Sequence, residues 1–495
     1  MSFTRAGKWP ENAQGAQVTS PIYDTAREML ANLAALKISA RELLDAHVAQ
    51  NDALAAKLNC VIATDMERAH DAAQFIDDAR ARGAAMGVLA GLPMTIKDGF
   101  DVNGMPAAAG NPAYAERPKK CADAELVGRV RKEDAIVWGK TNVPFMLGDF
   151  QSYNAVSGTT NNPYDVSRTP GGSSGGAAAA LAAGITPLEI GSDLGGSLRH
   201  PANFCDVFSL KPTWGVLSQR GHVPPPPGIV SESDLNVMGP MARNAGDLRL
   251  LWNILRGSAG AASRDITDAR VVLWDIEPGF PLAREVRDHL GRAAEALQRR
   301  GAIVDRKSLP FSGEELLRTY LELLLPIMAV GYPDRLRESF AAQKDADLQA
   351  ERDGAGPFSG PLYRLRSMAG DQEVFAAISR RKALKDRLAE FFAKDIDAVL
   401  CPISPVPAFE HLQKLPPLER TLEVDGTSVP YMSMLSWISL ATALHAPAMA
   451  IPAGRNAAGL PIGVQLIGPW HCEDRLFDFS GVLEEELGGF STPEL

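Results

Sequence analysis

Cysteine is scarce and scattered in this chain. The five residues, Cys60, Cys121, Cys205, Cys401 and Cys472, are odd in number and form no Cys-x-x-Cys pair. That pattern excludes a disulfide framework and the usual zinc ligand spacings, and it predicts a reduced, cytoplasmic setting. Long apolar runs are missing too. A membrane span needs roughly 18 or more uncharged apolar residues. The best candidate, 316–330, is broken by Arg318, Glu322 and Pro326. The first residues lack the apolar centre of a secretion signal, so none is expected. There is no block of basic residues, and the net charge is −10. Such a surface is poorly suited to nucleic acid or anionic membrane.

Histidine is sparse where acyl-transfer chemistry would most often want it. His222, His289, His411, His445 and His471 follow the glycine-serine motifs described below, but none sits in a context that marks a catalytic base. Each reads as a core or surface histidine.

What is present is an ordinary globular composition, 45% hydrophobic and 22% charged over 495 residues, long enough to bury a large core. Residues 1–20 read as a loose arm. From 21 to about 82 the pattern is helical and rich in Ala and Leu. Short apolar strands are expected at 86–96, 135–139, 271–274, 302–304, 398–401, 448–451 and 462–467. Helices are expected at 177–183 and 285–300. This alternation predicts an α/β fold with a central mixed sheet and helices on both faces. No linker divides it, so 21–495 reads as one domain. The stretch 311–371 differs from its surroundings. It is helical, with a capping-box pattern at Ser312 and Glu315 and a kink expected at Pro326. It reads either as a helical cap over a pocket or as a peripheral layer.

Two glycine-serine stretches carry the chemistry. They are Gly171-Gly172-Ser173-Ser174-Gly175-Gly176 and Gly191-Ser192-Asp193-Leu194-Gly195-Gly196-Ser197. The first could be a flexible linker, but a buried-looking helix follows at once. It also matches the Gly-x-Ser-x-Gly elbow of α/β-hydrolase esterases. That elbow needs a strand directly before it, and Pro170 cannot belong to a central strand. In the second stretch, glycines ahead of Ser197 let several backbone N–H groups converge on one point, as an oxyanion hole requires. Ser197 still needs a base. Lys97 ends the apolar run Leu92-Pro93-Met94-Thr95-Ile96, where desolvation would lower its pKa. The alternative for Lys97 is a strand-end lysine that pairs with Asp98 or reaches solvent.

Together with Gly139-Lys140-Thr141-Asn142, Leu210-Lys211-Pro212-Thr213, Gly239-Pro240-Met241-Ala242-Arg243 and Gly459-Leu460-Pro461-Ile462-Gly463-Val464-Gln465, these motifs resemble the amidase signature family over about 20–485. The resemblance implies an amide hydrolase with Ser197 as nucleophile, Ser173 as bridging serine after a cis peptide bond, and Lys97 as base. It implies oxyanion donors at Leu194, Gly195, Gly196 and Ser197, with Asp193 and Arg199 bracing the loop and Ser174 in the same network. It implies no metal and no cofactor. The expected partner is a small-molecule amide, and a homodimer is left open.

The chain departs from the family pattern at Asp206 and Ser209, where glycines are usual, and at Phe145, where a glutamate is common. The expected substrate is apolar or aromatic. Its pocket is expected to be roofed by 311–371 and the loop Pro224–Gly228, with Trp437 and Met434 nearby. Alternatives are a lactam or carbamate hydrolase, the glutaminase component of an amidotransferase, an α/β-hydrolase esterase and a non-catalytic binder.

Overall fold

The strands are short, and most are buried on both faces, which explains their nearly continuous apolar sequences. Eight of them build a mixed sheet in the spatial order 303–306, 270–273, 398–402, 461–467, 448–455, 208–211, 237–242 and 188–193. The three strands at one edge pair in parallel, and the remaining pairings are antiparallel. Alternation along each strand feeds two cores, one per face. In Ala398–Pro402, Ala398 and Leu400 join one core, while Val399 and Cys401 join the other. In Ala448–Arg455, Met449 and Ile451 divide from Ala448 and Ala450 in the same way. This computed structural model describes residues 21–495, so the expected arm at 1–20 lies outside the described residues.

The helical reading of 21–82 is interrupted by a strand at Val61–Thr64. This strand pairs with Ile136–Thr141, which in turn pairs with Pro93–Lys97, giving a second sheet of three strands. The two sheets meet edge to edge. The Thr95 amide donates to Thr186 Oγ1 at 3.1 Å and the Thr95 hydroxyl to Glu189 Oε1 at 2.6 Å. Lys97 is therefore delivered to the C-terminal end of the edge strand Leu188–Asp193, just where the second glycine-serine stretch begins.

Helices Gly313–Ala329, Asp334–Ala341, Lys344–Arg352 and Gly360–Ser367 occupy the stretch expected to be helical. Ser312 caps the first of them by accepting from the Glu315 amide at 3.2 Å. The reciprocal half of the capping box is absent among the described residues, because the Glu315 carboxylate pairs with Arg387 at 2.7 Å. Pro326 lies inside this helix and does not end it. Among the described residues, no helix is long and apolar enough to cross a membrane.

One aromatic cluster locks the helix Leu435–Ala443 to the sheet. Trp437 packs edge-on against Trp274 and Phe280, with ring centroids 5.1 and 5.3 Å away. Its indole N–H donates to the Pro281 carbonyl at 2.8 Å. Truncation would leave a large cavity and an unpaired carbonyl. Trp437→Ala should therefore lower the unfolding free energy by about 3–5 kcal/mol, read as a lower midpoint in urea unfolding.

Candidate active site

Lys97 is fully buried, and its ammonium nitrogen is ringed by hydroxyls. Nζ lies 2.7 Å from Ser173 Oγ, 2.8 Å from Ser174 Oγ and 2.9 Å from Ser192 Oγ, with the Ser192 carbonyl at 3.3 Å. Among the described residues, no carboxylate touches it. Asp98, the alternative partner, pairs instead with Lys140 at 2.9 Å. Burial pushes the Lys97 pKa down to about 7, against the opposing pull of the Asp193 and Glu189 charges.

The serines are held by close backbone packing. The Gly172–Ser173 bond is cis, as the resemblance implies. A Cβ on Gly172 would fall 2.4 Å from the Asp149 carbonyl, and one on Gly176 would fall 2.3 Å from the Asn142 amide. Only glycine lets the loop thread this gap. Ser152 clamps the loop from outside, donating to the Gly171 carbonyl at 3.0 Å and accepting from the Gly175 amide at 3.1 Å. The segment before the loop is not a strand, which removes the Gly-x-Ser-x-Gly elbow.

Ser197 lies across from this cluster. The Ser174 amide donates to its carbonyl at 3.2 Å, and the residue borders a cleft. Among the described residues its hydroxyl has no hydrogen-bond partner, so it faces the cleft uncommitted. The loop that carries it is pinned by a buried ion pair. Arg199 Nη2 and Nε reach the two oxygens of Asp193 at 3.0 and 3.1 Å, and both side chains are fully buried. Burial alone would raise the Asp193 pKa. The Arg199 guanidinium, helped by the Lys211 charge and the Leu198 amide, more than offsets this and holds it well below the usual carboxylate range.

The oxyanion donors need one correction. The Gly196 N–H is not free, because it donates to Asp193 Oδ1 at 2.9 Å. The Leu198 N–H donates to the other oxygen at 3.1 Å. The carboxylate is fixed under the loop by Arg199 and reaches the nearest amides. Among the described residues, the N–H groups of Leu194, Gly195 and Ser197 have no acceptor within the chain, and these three residues border the cleft.

The rest of the cleft is lined by Leu147, Phe150, Leu324, Met328, Met432 and Leu435, among others. Leu324 and Met328 come from the helix at 313–329, within the stretch expected to cap a pocket. Tyr320 on the same helix donates its hydroxyl to the Leu194 carbonyl at 2.9 Å. Trp437 and Met434 do not line the cleft. Both are fully buried core, and their neighbours Met432 and Leu435 line it instead. The loop Pro224–Gly228 is also absent from the lining.

One charged group, Asp149, borders the cleft, and it is already neutralised. Arg420 pairs with it at 2.7 Å, and the Tyr431 hydroxyl donates to it at 2.5 Å. Nothing in the sequence near Asp149 pointed to the site, because its partners lie far along the chain.

Of the departures from the family pattern, one, Ser209, bonds to the residue after Ser197. Asp206 accepts from the amide and hydroxyl of Ser491 at 3.0 and 2.8 Å, tying down the C-terminal segment. Ser209 donates to the Leu198 carbonyl at 3.1 Å. Phe145 is exposed. One of the five histidines read as core or surface residues has neighbours that its sequence context did not mark. His222 is buried and lies 2.9 Å from Ser192 Oγ, one hydroxyl away from Lys97. Among the described residues no cluster of side chains could hold a metal ion.

Comparison with known proteins agrees with this geometry. The Amidase family profile matches residues 42–477. A glutamyl-tRNA(Gln) amidotransferase component from Alkaliphilus metalliredigens is 30% identical over 92% of this chain and 94% of its own length. A crystal structure of an amidase superimposes with a TM-score of 0.77 at 28% identity, covering 94% of this chain and all of that one. A bacterial aryl acylamidase of the amidase signature family shares the fold, with a TM-score of 0.77 at 21% identity, covering 94% of this chain and 97% of its own. With a match that runs through nearly the whole chain on the same fold, this protein belongs to the amidase signature family and is an amide-hydrolysing enzyme.

Proposed function

We propose that this enzyme hydrolyses small apolar or aromatic amides through an acyl-enzyme on Ser197. The observation that carries the mechanism is the 2.7 Å contact between the buried Lys97 Nζ and Ser173 Oγ beside a cleft that Ser197 borders. In this reading Ser197 Oγ attacks the amide carbonyl. Its proton passes to Ser173, whose own proton goes to the neutral Lys97 amine. The N–H groups of Leu194, Gly195 and Ser197 receive the charge that develops on oxygen. The leaving amine takes its proton back along the same path, and water then cleaves the ester. Ser174 and the Asp193–Arg199 pair hold the parts in register. The catalytic unit is a single domain spanning 21–495, and 311–371 serves as a cap. The cleft contacts of Leu324 and Met328 support that role. The free cysteines support a reducing cytoplasmic setting.

The substrate class rests on the lining. Its side chains are apolar except for the hydroxyls of Ser197 and Tyr431 and for Asp149, whose charge is already paired, so an apolar acyl group loses water there without leaving a charge unpaired. Linear amides, lactams and carbamates share the scissile carbonyl and differ only in how they fill this space. The glutaminase component of an amidotransferase is the second reading, favoured by the 30% identity to such a protein. Free glutamine would bring an ammonium and a carboxylate, and no unpaired charge in the cleft would meet them.

Three outcomes test these assignments. Ser197→Ala should abolish both turnover and covalent labelling by a fluorophosphonate. Lys97→Ala and Ser173→Ala should each cost on the order of 10³-fold or more in kcat, because the three act as a unit. Persistent labelling in Ser197→Ala would remove the proposed nucleophile. The sign of the pH dependence follows from Lys97, which accepts a proton only when neutral. The rate should be low in acid, climb through a single ionisation near pH 7 and then level off. A profile that falls with rising pH through this range would exclude the lysine base. Across acyl anilides of increasing chain length, kcat/KM should rise about fourfold per methylene covered by the cleft. Glutamine should be a poor substrate. A preference for glutamine over every anilide would overturn the apolar assignment and favour the amidotransferase reading.

A further inference from the structure

A neutral lysine is a base in only one direction. Its amine has two hydrogens and one lone pair, and here four oxygens surround it. Something must decide which oxygen faces the lone pair. The answer lies one residue outside the serine-lysine cluster. His222 Nδ1 is 2.8 Å from the Pro224 carbonyl. A carbonyl can only accept, so Nδ1 carries the hydrogen and Nε2 of the neutral ring is bare. The ring is buried edge-on against Phe100, with centroids 5.0 Å apart. Burial, with a protonated Lys97 adding to it, pushes its pKa down to about 3, against the opposing pull of the Pro224 hydrogen bond and of Asp101. The other charges facing the network are Glu189 and Asp193, on the strand beneath Lys97.

The directions then follow in sequence. Bare Nε2 accepts the hydroxyl proton of Ser192 across 2.9 Å. Ser192 Oγ, its one proton given away, can only accept from Lys97 Nζ, at 2.9 Å. Ser174 can turn its own proton to the Ser192 carbonyl, 3.5 Å away, and accept the second lysine hydrogen at 2.8 Å. Both hydrogens of the amine are then spent, and the lone pair is left facing the Ser173 hydroxyl at 2.7 Å.

We propose that His222 is a positioning residue that, through Ser192, aims the lone pair of neutral Lys97 at Ser173. The chain Pro224 carbonyl, His222, Ser192, Lys97 is a one-way series of hydrogen bonds, and its polarity is set at the Nδ1 end. Without the imidazole acceptor, the Ser192 hydroxyl is free to donate to the lysine lone pair and take it away from Ser173. This proposal rests on the reading of Ser197, Ser173 and Lys97 given above.

The test uses an alkyl fluorophosphonate on the full-length enzyme, followed by intact mass. In that reaction Ser197 Oγ bonds to phosphorus, fluoride leaves, and the serine proton passes through Ser173 to Lys97. The maximal inactivation rate and the half-saturating probe concentration are measured separately. His222→Phe keeps the ring packing and removes the acceptor. It should lower the maximal rate about 10- to 100-fold, the range typical when a partner that orients a functional group is lost, and leave half-saturation unchanged. His222→Gln restores an acceptor and should recover most of the rate. In a Ser192→Ala background, His222→Phe should cost less than about twofold, because the histidine acts only through that hydroxyl.

Full-rate labelling by a folded His222→Phe enzyme overturns the proposal. So does a Gln variant as slow as Phe, or losses that multiply in the double variant. Nitrogen NMR of the histidine-labelled wild type gives a check independent of any variant. It should report a bare Nε2 and a protonated Nδ1 from pH 5 to 9, and a protonated Nε2 excludes the series. Labelling that survives Ser197→Ala would instead count against the nucleophile assignment, so the two failures are distinguishable.

Discussion

The site depends first on a guanidinium that has no free hydrogen left. Arg199 gives two hydrogens to Asp193, one each to the Ile438 carbonyl and Gln465, and the last to Thr442. Those partners come from the start of the loop that carries Ser197, the helix at 435–443 and the strand at 461–467. A buried ion pair is costly to desolvate and adds little net stability. Its effect here is positional. It fixes Asp193, whose oxygens fix the amides of Gly196 and Leu198, and the loop between them must then turn its remaining amides elsewhere. The engagement of the Gly196 amide and, among the described residues, the freedom of those of Leu194, Gly195 and Ser197 are two results of one constraint.

A second layer of order is set by desolvation. The join between the two sheets carries Lys97 into a region with hydroxyls around its nitrogen and carboxylates only at a distance. Glu189 lies nearby, and its own burial pushes its pKa up to about 7. The burial that depresses the lysine pKa therefore also weakens one of the two carboxylate charges that would hold its proton, Glu189, while Asp193 stays ionised against Arg199. The serine hydroxyls satisfy the amine without charging it. They can do so because the glycines at 172 and 176 let the backbone approach closely enough for three serines to share one nitrogen.

Much of this was legible in short stretches of sequence. The strand ending at Lys97 and the two glycine-serine loops are local, and their residue types reveal both the turn and the chemistry. Other parts were hidden for identifiable reasons. The strand Val61–Thr64 is short and lies between long helices, so the helical pattern swamps it. The strand Val237–Ala242 contains Gly239 and Pro240, residues that argue against a central strand. A Cβ on Gly239 would fall 2.0 Å from the Leu210 carbonyl, so packing between strands overrode propensity there. The cleft wall at 432–435, the pairing of Asp149 with Arg420 and the reach of His222 to Ser192 all join residues distant in the chain. Burial of Trp437 and Met434 rather than exposure to the cleft is likewise a matter of helix rotation, which spacing alone does not reveal.

The neutralised Asp149 bears on how a substrate arrives as well as on how it fits. With Arg420 and Tyr431 closing around the carboxylate, the one charged side chain in the lining of the cleft is paired, although the protein as a whole carries a net charge of −10. The lining then offers an incoming molecule no unpaired charge, and so none of the acceleration that a charged funnel gives. Added salt has little at the cleft to screen. Entry of an uncharged molecule into this cleft should therefore change little with the ionic strength around it.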